Sequence, residues 1–440
     1  MIMKSKRRVR TSKDFCAERA SQGQRVGIIN LGCARNLVDA QVILGNVQKQ
    51  GHTIVDIKNS EVAILNTCAF IEEAKKESID AIVDLVELKK QGRLKKIIVT
   101  GCLAQRYGPE LIKEFKEIDA VIGAQKLDQR NVPEQILLTP GHTAYVKICE
   151  SCYNCCSFCV IPAIKGKFVS RTMESVLKEV ERLDAGGVKE INIIGQDITA
   201  YGMDIYHQKS LARLLQKIAA VTKNIQWIRL LYAFPAHVTD ELIDVIAGED
   251  KICKYLDIPL QHISGHLLKA MNRNMTTRQT MALIRKLRTR IPEASLRTTF
   301  IVGFPGETQE DFEELLRFVE ETRFDKAGGF AYSREEGTPA FEWPDQVPEN
   351  IKKKRLDKLM KVQRGISQSV QERFLGETLN VLIDEKSLEE KGLYIGRTEF
   401  DAPEVDGAVT VRSQKLLNPG DFVSVKIRDT YEYDLAGEAV

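Results

Sequence analysis

Cys149-Glu150-Ser151-Cys152-Tyr153-Asn154-Cys155-Cys156-Ser157-Phe158-Cys159-Val160-Ile161-Pro162 holds five of the chain's ten cysteines. A C-x3-C-x2-C spacing occurs here in one register only, Cys152, Cys156 and Cys159, because residues 153 and 162 are Tyr and Pro. Three thiolates on a cubane iron–sulfur cluster leave one iron without a protein ligand, and catalysis at a metal needs such an open position. A structural zinc site is the competing reading. Zinc favours four ligands in paired C-x2-C form, and Cys149-x2-Cys152 with Cys156-x2-Cys159 would supply them.

Working outward, the stretch follows an apolar strand over 143–148 and opens a strand–helix alternation that runs to about Tyr332. Further strands are expected at 190–195, 226–231, 254–259, 295–302 and 326–332, with amphipathic helices near 172–186, 209–222, 239–247, 276–290 and 308–322. Six such units suit an incomplete parallel barrel, and the cysteine stretch then lies on the loop at the C-terminal end of the first strand, where barrel active sites sit.

Upstream, residues 24–130 read as a separate open parallel α/β domain. Strands at Arg25–Leu31, Val62–Asn66 and Lys96–Thr100 each run into a cysteine, Cys33, Cys68 and Cys102, with helices over 36–50 and 71–90 between them. Strand ends of an open parallel sheet gather at one edge, which is where its ligands bind. Three thiols there point to a second cluster, again with three protein ligands, rather than to three unrelated core cysteines. Residues 131–142 carry turn-forming Pro and Gly and read as a linker. A long helix over 349–374 shows a basic face built from Lys352, Lys353, Lys354, Arg355, Lys358, Lys361 and Arg364. From about residue 373 onward, short β-type runs at 378–383, 393–398, 408–411 and 422–429 fit a small antiparallel, OB-like barrel.

With 440 residues the chain is long enough for two or three domains. The net charge of +3 excludes bulk polyanion binding. Residues 375–440 hold 14 Asp and Glu against 7 Lys and Arg, a balance suited to a basic protein partner and not to nucleic acid. Residues 1–23 form a basic tail (Lys4, Lys6, Arg7, Arg8, Arg10, Lys13) without the apolar stretch of a secretory signal, and are expected to be disordered. Ten cysteines without such a signal suggest a reducing compartment and a cytoplasmic protein. No apolar run approaches the roughly 20 residues that span a bilayer.

The spacing Cys152, Cys156, Cys159, with Phe158 before the last cysteine, resembles the cluster loop of radical S-adenosylmethionine (SAM) enzymes. Three further stretches widen the resemblance. Asn30-Leu-Gly-Cys-Ala-Arg-Asn-Leu-Val-Asp39, Asn66-Thr-Cys-Ala-Phe-Ile71 and Thr100-Gly-Cys-Leu-Ala-Gln-Arg106 look like the cysteine motifs of the methylthiotransferase N-terminal domain. The resemblance spans roughly residues 24–438 and implies that N-terminal domain over 24–130, a radical SAM domain over 143–372 and a TRAM domain over 373–440. Within the family, one branch modifies a ribosomal protein and the other a tRNA adenosine derivative. Gly195–Tyr206, Pro259-Leu-Gln-His-Ile-Ser264 and Gly396–Gly407 are similar to the ribosomal-protein branch. Two departures stand out: the family commonly has Gly where Ser151 stands, and Cys149 and Cys155 are additions.

The resemblance implies two 4Fe-4S clusters and S-adenosyl-L-methionine as cofactors. The cluster on Cys152, Cys156 and Cys159 would generate the radical that takes hydrogen from the β-carbon of an aspartate in small-subunit ribosomal protein S twelve. The cluster on Cys33, Cys68 and Cys102 would hold the sulfur that becomes methylated and is then attacked by the carbon radical. Phe158, Gln196, Asp197, Gln261, Arg297 and Thr299 are the implied cofactor-contacting residues. Flavodoxin or ferredoxin would donate electrons, and the protein is expected to be monomeric and free of the membrane. The alternatives are a tRNA (N6-isopentenyladenosine or threonylcarbamoyladenosine) methylthiotransferase, which the basic 349–374 helix would suit, and a non-catalytic iron–sulfur or zinc protein of the ribosome. His262 reads as a hydrogen-bonding residue, and His52, His142, His207, His237 and His266 share no metal-ligand spacing.

Overall fold

The computed structural model describes residues 23–440; the basic tail, with Cys16, lies outside the described residues. The first unit alternates β1 (Arg25–Asn30), α1 (Ala34–Lys49), β2 (Thr53–Ile54), β3 (Val62–Thr67), α2 (Glu72–Lys90), β4 (Lys96–Gly101), α3 (Cys102–Glu114) and β5 (Ala120–Val121). All five strands are parallel, in the order β2-β1-β3-β4-β5. Central β3 is buried along its whole length, as its unbroken Val-Ala-Ile-Leu run requires of a strand covered on both faces. α2 carries Glu72 and Glu73 in its first turn and Lys89 and Lys90 in its last, which complements its dipole. α3, absent from the sequence reading, is interrupted at Tyr107, just before Gly108-Pro109, so no continuous helical period is visible there.

The second unit contains β6 (Thr143–Lys147), β7 (Cys149–Glu150), α4 (Ile161–Lys165), β8 (Val169–Ser170), α5 (Met173–Ala185), β9 (Glu190–Ile194), α6 (Leu211–Val221), β10 (Trp227–Leu230) and α7 (Asp240–Gly248). It continues through β11 (Ile252–Asp257), α8 (Gly265–Ala270), α9 (Thr277–Arg290), β12 (Ser295–Val302), α10 (Gln309–Thr322), β13 (Lys326–Ala331) and α11 (Glu349–Gln371). Six parallel strands in the order β13-β12-β11-β10-β9-β6 curve into a barrel left open between β6 and β13. The helix starts were written locally: Thr276 with Gln279 and Thr308 with Asp311 form capping boxes. Strand alternation sends Val146, Ile193, Leu230 and Leu256 outward into the helix-packed core and Tyr145, Ile194, Leu231 and Tyr255 to the concave side.

The third unit closes a five-stranded barrel from β14 (Thr378–Lys386), β15 (Leu393–Thr398), β16 (Val409–Arg412), β17 (Phe422–Thr430) and β18 (Leu435–Ala439). It is antiparallel except where β16 pairs with β18, and that short last strand, interrupted by Gly437, had no visible period in the sequence. One correction concerns α11: Lys352 and Arg355 are buried, not part of a basic face. Lys352 donates to the Tyr332 carbonyl, and Arg355 pairs with Glu307 at 2.9 Å. Among the described residues no helix is long and apolar enough to cross a membrane.

The concave side of the six-stranded sheet packs against its neighbours. Ala34, Leu37 and Val38 of α1, and Leu382, Ala402 and Phe422 of the third unit, pack with Tyr145, Trp227, Leu231 and Tyr255. Buried ion pairs ring this seam. Glu190 takes Arg229 at 3.0 Å and Arg397 at 2.8 Å, and Arg397 also holds Asp384. Burial alone would raise the Glu190 carboxyl, but the charges of Arg397 and Arg229 overcome it and pull it down to about 2. A carboxyl depressed in the fold contributes stability that is full above its ordinary value of 4.5 and is lost as pH falls through about 2. The melting temperature should therefore drop between pH 4.5 and 2. Glu190→Gln should be less stable at neutral pH and flatter across that window in a pH series of thermal melts. An equally steep curve in the variant would remove Glu190 from the account.

Candidate active site

The loop after β6 folds around a strained turn. Ser151 has φ 68 and is fully buried, and its Oγ donates to the Gly166 carbonyl at 2.6 Å. A left-handed backbone is where glycine would be expected; here a short polar side chain occupies it and is anchored. Cys149 is enclosed: its Sγ lies 3.5 Å from the Asp197 carbonyl, and a Cβ on Gly195 would come within 2.3 Å of it. Cys155 points to solvent, while Cys152, Cys156 and Cys159 are buried or half-buried.

Donors converge on two of these sulfurs. The Asn154 backbone N–H and Nδ2 lie 3.4 and 3.6 Å from Cys152 Sγ. Asn154 is itself held by Asp197 Oδ2 at 2.8 Å, which also meets His237 Nδ1 at 2.8 Å. Arg273 Nη1 lies 3.5 Å from Cys156 Sγ, and its Nη2 donates to the Pro259 carbonyl. Burial pushes the Cys152 thiol up to about 11 and the Cys159 thiol up to about 12, so loading a metal here must expel protons.

The second group sits at the C-terminal edge of the first sheet. Cys33 caps α1, Cys68 follows β3, and Cys102 opens α3. The turns are tight. Gly32 has φ 89, and a Cβ there would fall 2.9 Å from Cys68 Sγ; Gly101 has φ 93, and a Cβ there would fall 2.5 Å from the Thr67 carbonyl. Asn36 stitches the edge by donating to the Leu31 and Thr67 carbonyls, both at 2.9 Å. Burial would raise the Cys33 thiol, yet the charge of Arg35 and the hydrogen bonds around the sulfur leave it below its ordinary value. Burial pushes the Cys102 thiol up to about 12, against the charge of Lys165, which acts to lower it. Arg35 also crosses to the barrel, donating to the Gly195 carbonyl at 3.0 Å. Among the described residues all nine cysteines are free, and no three His, Cys, Asp or Glu converge on a single ion. A cubane cluster asks for something else, because each thiolate takes a different iron.

The two cysteine groups are joined by four buried charges. Lys147 of β6 pairs with Asp39 of α1 and with Glu150 at 2.6 Å; Lys165 of α4 pairs with Asp39 at 3.0 Å and Glu150 at 3.5 Å. Burial works against the Glu150 carboxylate, but Lys147 and Lys165 draw it down to about 2.

The architecture has relatives. The radical SAM superfamily matches residues 146–319, the uncharacterized protein family UPF0004 matches 25–123, and the TRAM domain matches 375–440. The ribosomal protein uS12 methylthiotransferase RimO of Desulforamulus reducens is 46% identical over 94% of this chain and 99% of its own. That of Caldanaerobacter subterraneus is 48% identical over 94% and 100%. The chain belongs to the RimO methylthiotransferase family. A solved radical SAM methyltransferase, TsrM from Kitasatospora setae with cobalamin and a 4Fe-4S cluster bound, shares the fold at a TM-score of 0.54 and 15% identity. It covers 85% of this chain and 80% of that one.

The RimO-family fold sets the remaining residues named from sequence in distinct places. Gln196 Nε2 donates to Glu150 Oε1 at 2.6 Å, and Asp197 is fully buried beneath the cluster loop. Gln261 has φ 72 and bridges to β12, exchanging backbone bonds with Thr299 and Ile301. Thr299 is half-buried on β12. Phe158 packs edge-on to Phe304 at 6.4 Å, beside Leu267, Met271 and Tyr332. Arg297 pairs with Asp257 at 2.9 Å and reaches Asp406 of the third unit at 3.4 Å. Gln196 Oε1, Gln261 Oε1 and His262 Nε2 are buried without hydrogen-bond partners. Such unmet polar capacity beyond the ends of β9 and β11 suits a polar ligand such as S-adenosylmethionine. Asn154 and Arg273 escaped the sequence reading, which named His237 only as a histidine without metal-ligand spacing; only Asn154, inside the loop, carried any local signal.

Proposed function

We propose that this chain methylthiolates the β-carbon of an aspartate in ribosomal protein uS12. The observation that carries the reading is the pair of three-cysteine groups, set on adjoining sheet edges and tied together by Arg35 and the Asp39–Lys147–Glu150–Lys165 charges. In this reading Cys152, Cys156 and Cys159 hold one 4Fe-4S cluster and Cys33, Cys68 and Cys102 the other. When bound, the clusters and S-adenosylmethionine supply the radical, sulfur and methyl chemistry that side chains cannot.

The chain's own residues bind, orient and enclose. Asn154 and Arg273 donate toward Cys152 and Cys156. Asp197 fixes Asn154, and Gln196 and Gln261 offer free carbonyl oxygens to a polar ligand. Cys149 is walled off from the loop's open side and Cys155 faces water, so both are bystanders. The acidic third unit complements a basic substrate. We further propose that the protein works as a cytoplasmic monomer with electrons from a flavodoxin or ferredoxin.

Mass spectrometry of ribosomes from a strain lacking the gene tests the assignment. Protein uS12 should lose the mass of one methylthio group and regain it on complementation. Unchanged uS12 would refute the reading, and loss of a methylthio group from tRNA would install the tRNA alternative in its place.

A further inference from the structure

Two arginines from different units meet one loop. Leu231-Tyr232-Ala233-Phe234-Pro235 follows β10 at the C-terminal edge of the barrel. The Arg35 guanidinium carbon lies 4.3 Å from the centre of the Tyr232 ring, and that of Arg273 lies 4.2 Å from the centre of Phe234. Each arginine also bears on a different cysteine group. Arg35 follows Cys33 by two residues at the start of α1 and its charge holds that thiol low, and Arg273 Nη1 stands 3.5 Å from Cys156 Sγ.

The loop is built to hold these rings still. Tyr232 adopts φ 68, a region that a bulky residue enters only when its surroundings demand it. Its N–H donates to Asp257 Oδ2 at 3.0 Å, and the N–H of Ala233 donates to the Asp257 carbonyl at 2.9 Å. The Phe234 N–H donates to Thr199 Oγ1 at 3.0 Å. Thr199 in turn donates to Asp197, the carboxylate that fixes Asn154 at Cys152. One short segment therefore touches the surroundings of both groups.

We infer that Arg35 and Arg273 are positioning residues, each holding one cluster thiolate, and that loop 231–235 orients both through Tyr232 and Phe234. The inference rests on the ligand sets proposed above. A thiolate-bound cluster is anionic, and one-electron reduction adds a further negative charge. A guanidinium never deprotonates, and hydrogen bonds to sulfur and local charge are among the factors that set cluster potentials. Buried beside the sulfur, it favours the reduced form far more than it would in water.

The test is an EPR-monitored redox titration with dithionite on the full chain, reconstituted with iron and sulfide. Iron counting on the unsubstituted protein comes first; if it retains no clusters, the ligand assignment fails independently of the arginines. Cys68→Ala leaves only the Cys152 group complete, and Cys152→Ala leaves only the Cys33 group complete. In the first background Arg273→Met should lower the reduced-to-oxidised ratio at fixed potential about tenfold, which is about 59 mV for a one-electron couple. Arg35→Met should do the same in the second. Phe234→Leu should move the potential in the same direction by less and add nothing to Arg273→Met. Unchanged potentials in both arginine variants would overturn the inference, and so would full additivity of Phe234→Leu. If Arg273→Met loses its iron, Arg273→Lys decides: iron regained with a potential near that of the parent supports the role, and iron still absent overturns it.

Discussion

Cys152→Ala should cut the iron bound after reconstitution from about eight to about four per chain, the difference of one four-iron cluster, while Cys155→Ala leaves the full complement. Three residues beyond Cys152 and next to Cys156, Cys155 could be argued into the set on proximity alone. Its surroundings argue against that. Cys155 is exposed and the donor that meets it, Asn272 Nδ2, goes to its carbonyl oxygen at 2.8 Å, whereas Cys156 is buried and its sulfur faces Arg273 at 3.5 Å. Cys152 is met by two donors from Asn154. Such donors favour the thiolate and work against the burial that raises the Cys152 thiol. Reductive cleavage of S-adenosylmethionine should vanish in Cys152→Ala and persist in Cys155→Ala. Iron lost from Cys155→Ala instead would move the ligand register by one residue and undo the reading of the loop.

The cysteines were legible because their meaning lies in local spacing, which a single chain displays. The strands were legible for a related reason: a short apolar run such as Val62–Leu65 of β3 marks a parallel strand covered on both faces. What surrounds the sulfurs was not legible. Arg273 reaches Cys156 across 117 residues and Arg35 reaches Gly195 across 160, and no periodicity connects such partners. Arg297 is a further case: the carboxylate that the third unit presents to it, 109 residues further on at Asp406, left no trace in its own segment. The burial of Lys352 and Arg355 was hidden likewise, since a helical wheel separates faces but does not say which face the rest of the chain covers.

Lys147→Met should destabilise the protein by about 3–5 kcal/mol, the cost typical of breaking a buried ion pair from one side. Lys147, Asp39, Glu150 and Lys165 have side chains at most 5% exposed, and together they are neutral. Removing one cation leaves two buried carboxylates on Lys165 alone. If the surplus charge is the cause, Lys147→Met with Glu150→Gln should recover much of the loss, because one cation then faces one anion again. The consequences reach past stability. Asp39 lies on the helix that Cys33 caps, Glu150 precedes Cys152 by two residues, and Lys165 ends the helix after Cys159 and feels the charge of Cys102. One substitution at this node should therefore lower iron retention in both cysteine groups, whereas a ligand substitution lowers it in one. Denaturant midpoints and iron counts on the single and double variants separate these outcomes. A loss below about 1 kcal/mol, the range of an exposed pair, would mean that water reaches the node and that the two groups are held together by packing alone.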